Sequence, residues 1–164
     1  MPGLFVPLRI AEMYGALARA RGVTLPEAYA AADAVGRRVE RACLAHPIGL
    51  APCHNDAWPP NVVFAPEGGL VLVDWEYSGL NDPGWDLAHL SVECGLDPDD
   101  HGRLLHAYCG GPPPADLCRR VALLRGVSDV VWGLWALVQH ADGNTATDFE
   151  AYAEARLRRA PTWW

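Results

Sequence analysis

Two short stretches gather oxygen-bearing side chains at suggestive spacing. They are Cys53-His54-Asn55-Asp56-Ala57-Trp58-Pro59-Pro60-Asn61 and Leu72-Val73-Asp74-Trp75-Glu76. Asp56 and Asn61 stand at the two ends of a loop that contains two prolines and is therefore stiff. Asp74 and Glu76 fall at the end of an apolar run that reads as a strand, where residues two apart share a side. On that geometry Asn61, Asp74 and Glu76 converge. Hard oxygen donors of this kind suit Mg²⁺, which keeps several waters and takes phosphate oxygens as further ligands. Asp56 is left beside the cation, free to accept a proton. His54 belongs to the same candidate catalytic loop, as a brace for it rather than as an acid or base.

The elements that must position these groups are legible in outline. Asn61–Phe64 and Leu70–Trp75 are short β-rich runs around Pro66-Glu67-Gly68-Gly69, the pattern of a hairpin with a Gly-containing turn. Before them, one helix is expected over Ala11–Arg19. Thr24-Leu25-Pro26-Glu27 reads as a capping box opening an alanine-rich helix to Leu44. After them, Asp82 before Pro83 and Asp97 before Pro98 read as helix caps with proline in the first turn. A Gly-Gly-Pro-Pro-Pro linker precedes a long helix over Ala115–His140, and a last helix spans Asp148–Arg159. The expected fold class is α+β and mainly helical, with a small central β-hairpin in a single domain over residues 1–164. In the long helix, Val127, Val131, Leu134 and Val138 form a core stripe. Ser128, Trp132, Trp135 and Gln139 form a neighbouring one, which reads as a half-wet pocket wall.

The order H-x-D-x-x-x-x-N, a hairpin, and then an aspartate at a strand end matches the catalytic and metal loops of the kinase fold. In that template one aspartate accepts the substrate hydroxyl proton, while the asparagine and the second aspartate hold Mg²⁺. Asn55 stands where protein kinases carry the arginine that reads a phosphorylated activation loop. Only Trp75–Asn81 separate Asp74 from the cap at Asp82, which leaves no room for a long activation loop. Both features point to a small-molecule acceptor.

The chain resembles the choline/ethanolamine kinase family, within the wider aminoglycoside phosphotransferase-like group. The motifs that carry the likeness are His54-Asn55-Asp56 with Asn61, then Asp74-Trp75-Glu76-Tyr77, Asn81, Trp85-Asp86-Leu87-Ala88-His89 and Glu93. Trp132-Gly133-Leu134-Trp135-Ala136-Leu137-Val138-Gln139 and Tyr152-Ala153-Glu154-Ala155-Arg156 follow. Ala57-Trp58-Pro59-Pro60 departs from the Leu and Pro-Gly usual in the wider group. The resemblance implies the C-terminal catalytic lobe of a protein-kinase-like fold and transfer of the γ-phosphoryl of Mg·ATP to choline or a related amino alcohol. It also implies an aromatic cage of Tyr77, Trp132, Trp135 and Tyr152, with Gln139 alongside and Glu93 adding negative charge. Cation–π contact is the way to hold a quaternary ammonium, which donates no hydrogen bond. Asp86 matches the aspartate that steadies the catalytic loop.

Composition limits the alternatives. All 13 of the Lys+Arg positions are arginine, so this chain supplies no phosphate-gripping lysine and no Schiff-base lysine. A net charge of −7 argues against a nucleic-acid partner. No uninterrupted apolar run approaches the roughly 20 residues of a membrane span, and there is no signal-peptide pattern. The 5 cysteines form no C-x-x-C pair, so reduced thiols and a cytoplasmic setting are expected. No Gly-rich loop precedes the catalytic loop. The expected partner is therefore an N-terminal kinase lobe carrying the ATP clamp, without which the chain has negligible activity. An aminoglycoside or thiamine phosphotransferase lobe, or a non-catalytic quaternary-amine-binding module, are the alternatives. The remaining histidines, His89 among them, show no ligand spacing and read as ordinary. Trp163-Trp164 has no assigned role.

Overall fold

Helices dominate the computed structural model, which describes residues 3–163, and the chain divides into two compact units. One comprises the residues up to Phe5 together with Ile48–Arg125. The other comprises Val6–Pro47 and the chain from Gly126 onward.

In the second unit, α1 (Pro7–Ala20) begins with proline at its first turn, where no intrahelical N–H is needed. It buries Leu8, Ala11, Tyr14 and Ala18 along one face. The helix α2 (Tyr29–Ala45) starts later than the capping box predicts. Glu27 and Ala28 form a turn instead, closed by the Tyr29 N–H on the Pro26 carbonyl at 3.0 Å, and Ala28 caps without a side-chain bond.

The long helix α5 (Ala115–Ala141) closely follows its predicted span. Its apolar stretch is 78% buried, as in the core helix of a folded protein. Both of its predicted stripes are largely buried: Val127, Val131, Leu134 and Val138, but also Ser128 and Trp132. The helix α6 (Phe149–Arg159) starts at Asp148, whose side chain accepts the Ala151 N–H at 3.0 Å. Gly133 lets α6 approach closely, since a Cβ there would lie 3.1 Å from Leu157 Cγ.

Asp129, fully buried on α5, is paired by the α6 guanidiniums of Arg156 at 3.2 Å and Arg159 at 2.7 Å. It also accepts the Trp163 indole N–H at 2.7 Å. Stranding one partner of such a buried pair costs about 3–5 kcal/mol. This contact gives Trp163 a structural role; Trp164 lies outside the described residues.

Among the described residues, the first unit holds four three-residue strands in two antiparallel pairs. β1 (Ala51–Cys53) pairs with β4 (Gly79–Asn81), in the register Ala51↔Asn81. β2 (Val62–Phe64) and β3 (Leu70–Leu72) form the predicted hairpin, in the register Val62↔Leu72. Leu4 adds a parallel bridge to Leu80. Two helices follow, α3 (Gly84–Glu93) and α4 (Pro98–Cys109). Asp97 caps α4 as predicted, accepting the Asp100 N–H at 2.8 Å. The helix ends at Gly110, which takes the left-handed conformation at φ 65°. Asp82 accepts the Gly84 N–H at 2.8 Å at the start of α3 and pairs with Arg120.

Candidate active site

The loop between β1 and the hairpin is held by a network that starts from Asp86 on α3. One carboxylate oxygen accepts the His54 N–H and the other the Asn55 N–H, each at 2.8 Å. Asn55 takes a left-handed backbone, φ 68°, which a short amide side chain tolerates. It is fully buried, and its polar groups are all engaged. Its carbonyl accepts the Trp85 indole N–H at 3.0 Å. Its amide donates to the Tyr77 carbonyl at 2.9 Å, and its side-chain oxygen accepts from Asn81 at 2.9 Å. Asn81 in turn accepts the Asp82 N–H at 2.8 Å. The loop is thus fastened to β4 and α3 before Asp56 is reached.

His54 is a brace, as its place in the sequence suggests. Its Nδ1 accepts the Asp56 N–H at 3.3 Å, so Nε2 carries the proton and donates to the Val73 carbonyl at 2.8 Å. With both nitrogens committed and the ring buried, it ties the loop to the chain just after β3. Trp75 packs against the ring at 4.7 Å.

Asp56 is oriented from two sides. The Asn61 amide donates to its carbonyl at 2.9 Å and to Oδ2 at 3.2 Å. His89 Nε2 lies 3.3 Å from Oδ1. The Asp56 side chain keeps 18% of its surface exposed. Asn61 is itself buried in the turn after Pro59-Pro60, and its carbonyl accepts the Val73 N–H at 2.9 Å. Its amide nitrogen faces Asp56, so the amide oxygen is the group left for a cation.

The predicted convergence of Asp74 and Glu76 with Asn61 needs correction in its premise. β3 ends at Leu72, Asp74 adopts a left-handed backbone with φ 62°, and Glu76 lies in a turn. The same-side rule for a strand therefore does not apply to them, and both side chains are exposed. Among the described residues, no three His, Cys, Asp or Glu side chains group as a metal site.

The residues expected to form the cage fall in both units. In the first, Glu93 Oε1 lies 3.5 Å from His89 Nδ1, and the Tyr77 carbonyl serves Asn55. In the second, Trp132 is only 6% exposed and meets Trp135 edge-on at 5.8 Å; Trp135 meets Phe149 at 5.6 Å. Trp132 is therefore core, whereas Trp135 and Gln139 are half-exposed. The Arg156 guanidinium covers one face of Tyr152 at 4.6 Å, and Gln139 accepts from Asn144 at 3.0 Å.

His89 was not distinguishable as a site residue by ligand spacing. The signal available was helical: Asp86, His89 and Glu93 stand at i, i+3 and i+7, one face of α3. Cys53, at the end of β1, has its thiol pushed up to about 12 by burial and by the charges of Asp86 and Asp82. It stays protonated at neutral pH.

A stiff loop presenting one oriented carboxylate, a buried amide beside it and a hairpin leading to a second aspartate belong to a protein-kinase-like fold. The chain belongs to the phosphotransferase enzyme family, whose pattern matches residues 9–118. It is 35% identical to the protein LicA of Haemophilus influenzae over 117 residues, covering 68% of this chain and 42% of that protein. A thiamine kinase of Salmonella paratyphi B is 34% identical over 58% of this chain, and 31% of the kinase is covered.

Among solved structures, a choline/ethanolamine kinase family protein from Mesorhizobium loti superposes with a TM-score of 0.89 at 36% identity. The match covers 99% of this chain and 56% of that one. Choline kinase LicA from Streptococcus pneumoniae gives 0.83 at 25% identity, covering 99% and 57%. The chain thus spans little more than half the length of these structures and less than half of the two sequence relatives.

Proposed function

We propose that this chain is the acceptor-activating lobe of an ATP-dependent small-molecule kinase, with choline or a related amino alcohol as the acceptor. The observation that carries the reading is Asp56. It is a partly exposed carboxylate held by Asn61 on one oxygen and His89 on the other, on a loop fastened by Asp86 and Asn55. In the proposed reaction Asp56 takes the proton of the acceptor hydroxyl as that oxygen bonds to the γ-phosphorus. The bond from the γ-phosphorus to the bridging oxygen breaks, and ADP leaves.

The donor set suits Mg²⁺: the Asn61 amide oxygen and the exposed Asp74 carboxylate are hard oxygen ligands. Mg²⁺ bound to ATP is usually held by one or two such groups plus phosphates and water. When bound, the ion would neutralise charge on the phosphate oxygens. Catalysis in this template is mostly positioning and charge stabilisation, and positioning is what the buried network around Asp56 provides.

Glu93 is the proposed counter-charge for the amine. It lies on the α3 face that also carries His89, so one imidazole touches the carboxylate proposed for the hydroxyl and the one proposed for the ammonium. Trp135 is the tryptophan of α5 left available for a cation–π contact, worth about 0.5–2 kcal/mol. The thiamine kinase likeness supports a second acceptor, thiamine, which also joins a cationic nitrogen to a primary alcohol. In the proposed enzyme the ATP clamp comes from a separate N-terminal lobe.

The test mixes the 164-residue chain with a separately expressed N-terminal lobe, Mg²⁺ and ATP. ADP release is then followed with choline, ethanolamine, thiamine and an aminoglycoside. Turnover of an amino alcohol, lost by at least about a hundredfold in Asp56→Asn, supports the proposal. Binding of choline by calorimetry with no turnover under any condition would instead identify a non-catalytic amine-binding module. Loss of that binding in Trp135→Ala would establish the aromatic contact.

A further inference from the structure

His89 lies on α3 between Asp86 and Glu93, is 1% exposed, and stacks on Trp85 with ring centroids 6.3 Å apart and planes 13° from parallel. A buried imidazole is most often a satisfied core residue. This one differs in what its two nitrogens face. Nε2 is 3.3 Å from Asp56 Oδ1, and Nδ1 is 3.5 Å from Glu93 Oε1. One ring therefore separates two carboxylates that come from different elements, the catalytic loop and the end of α3.

Asp56 has a rotatable side chain, and a proton acceptor is useful only when its lone pairs point at the hydroxyl. Asn61 restrains Oδ2 at 3.2 Å but leaves the carboxylate able to turn about that contact. A second donor on Oδ1 removes this freedom. The imidazole is a suitable donor because Trp85 stacking and helix α3 fix its plane, and α3 is itself tied to the loop backbone through Asp86.

We infer that His89 is a positioning residue for Asp56: its Nε2–H holds Oδ1 so that the carboxylate faces the acceptor hydroxyl, while Glu93 Oε1 lies 3.5 Å from Nδ1 on the other side of the ring. The functional part of this inference rests on the reading of Asp56 as proton acceptor. The hydrogen-bond part does not.

Two measurements separate these parts. The first is a long-range ¹H–¹⁵N correlation spectrum of the six histidines in the 164-residue chain, with the His89 signals identified by their loss in His89→Gln. His89 Nε2 is expected to be protonated. Its signal should move in Asp56→Asn and its Nδ1 signal in Glu93→Gln, while those of His46, His106 and His140 stay in place. An Nε2 that carries no proton, or that ignores Asp56→Asn, overturns the inference whatever the protein's activity.

The second is turnover in the chain complemented with an N-terminal lobe. The Gln amide nitrogen reaches the place of Nε2, and the Asn amide nitrogen that of Nδ1. His89→Asn should lower kcat roughly a hundredfold, the effect of misplacing a catalytic group. His89→Gln should lose about tenfold less than that, with the alcohol KM nearly unchanged in both. Equal losses in the two variants, or an effect confined to KM, would overturn the positioning role. If the unaltered chain turns over no alcohol, the kinase reading fails, and the spectrum alone decides whether His89 holds Asp56.

Discussion

Asn55 illustrates how much of a site can rest on a residue that never meets the substrate. A positive φ is uncommon for any residue with a Cβ. Asn55 adopts one while placing its backbone and side chain against Asp86, Trp85, Tyr77 and Asn81. Asn55→Ala would strand the Asn81 amide and the Tyr77 carbonyl and keep the unfavourable φ. A loss of about 1–3 kcal/mol is expected for each stranded group, read as a lower urea midpoint at unchanged m-value. A shift under about 0.5 kcal/mol, the level of an ordinary surface change, would refute that account.

Sequence spacing made Asp56 and Asn61 legible, because a proline-stiffened D-x-x-x-x-N loop brings its ends together by local geometry, whereas Asp86 came from the family resemblance. Spacing marked Asn55 only as a position without arginine, and it passed over His89. The partners of both lie far along the chain: Asn55 meets Asn81 and His89 meets Asp56 through tertiary contacts. The strand placement of Asp74 and Glu76 failed for the opposite reason. A local rule was carried past the end of the strand, into a backbone that turns left-handed at Asp74.

Elements follow the same division between local and long-range causes. Helices with an aspartate cap, α4 and α6, and the long apolar-period helix α5 were readable to within a few residues. The Thr24 capping box failed because Pro26 leads a turn that delays α2. The β2–β3 hairpin was readable from its Gly-containing turn, but the β1–β4 pair was not. Its strands have three residues each, contain Pro52 and Gly79, and meet only through distant pairing.

Where α4 meets α3, His101 Nδ1 pairs with the Ser91 hydroxyl at 3.0 Å, and its pKa is lowered by burial and by the nearby Arg125 charge. A lowered histidine pKa means that the unfolded chain binds the proton first as pH falls. The stabilising contribution is therefore complete above the ordinary value of 6.5 and is lost progressively below it. In urea titrations from pH 7.5 down to pH 5.5, about one unit above and below that value, the wild-type midpoint should fall more steeply than that of His101→Asn. Parallel pH profiles for the two proteins would contradict this linkage.

At the scale of the whole molecule, the absence of lysine becomes an experimental handle. Kinases of this fold fix the nucleotide phosphates with a strand lysine, and all 13 basic positions here are arginine. In the proposed reaction that lysine therefore belongs to a segment outside these 164 residues, in keeping with the little more than half of each related structure that the chain covers. An amine-reactive ester can modify the α-amino group of this chain but no side-chain ammonium, whereas a lobe carrying the phosphate clamp offers its lysine. Pretreating this chain with the ester and then removing the reagent should leave complemented turnover essentially intact. The same treatment of the N-terminal lobe should abolish it, and ATP present during modification should protect. The asymmetry is specific to a shared active site in which one polypeptide activates the alcohol and the other grips the phosphates. Turnover lost on modifying this chain alone, or retained after the lobe's lysine is blocked, would show that the phosphates are held in some other way.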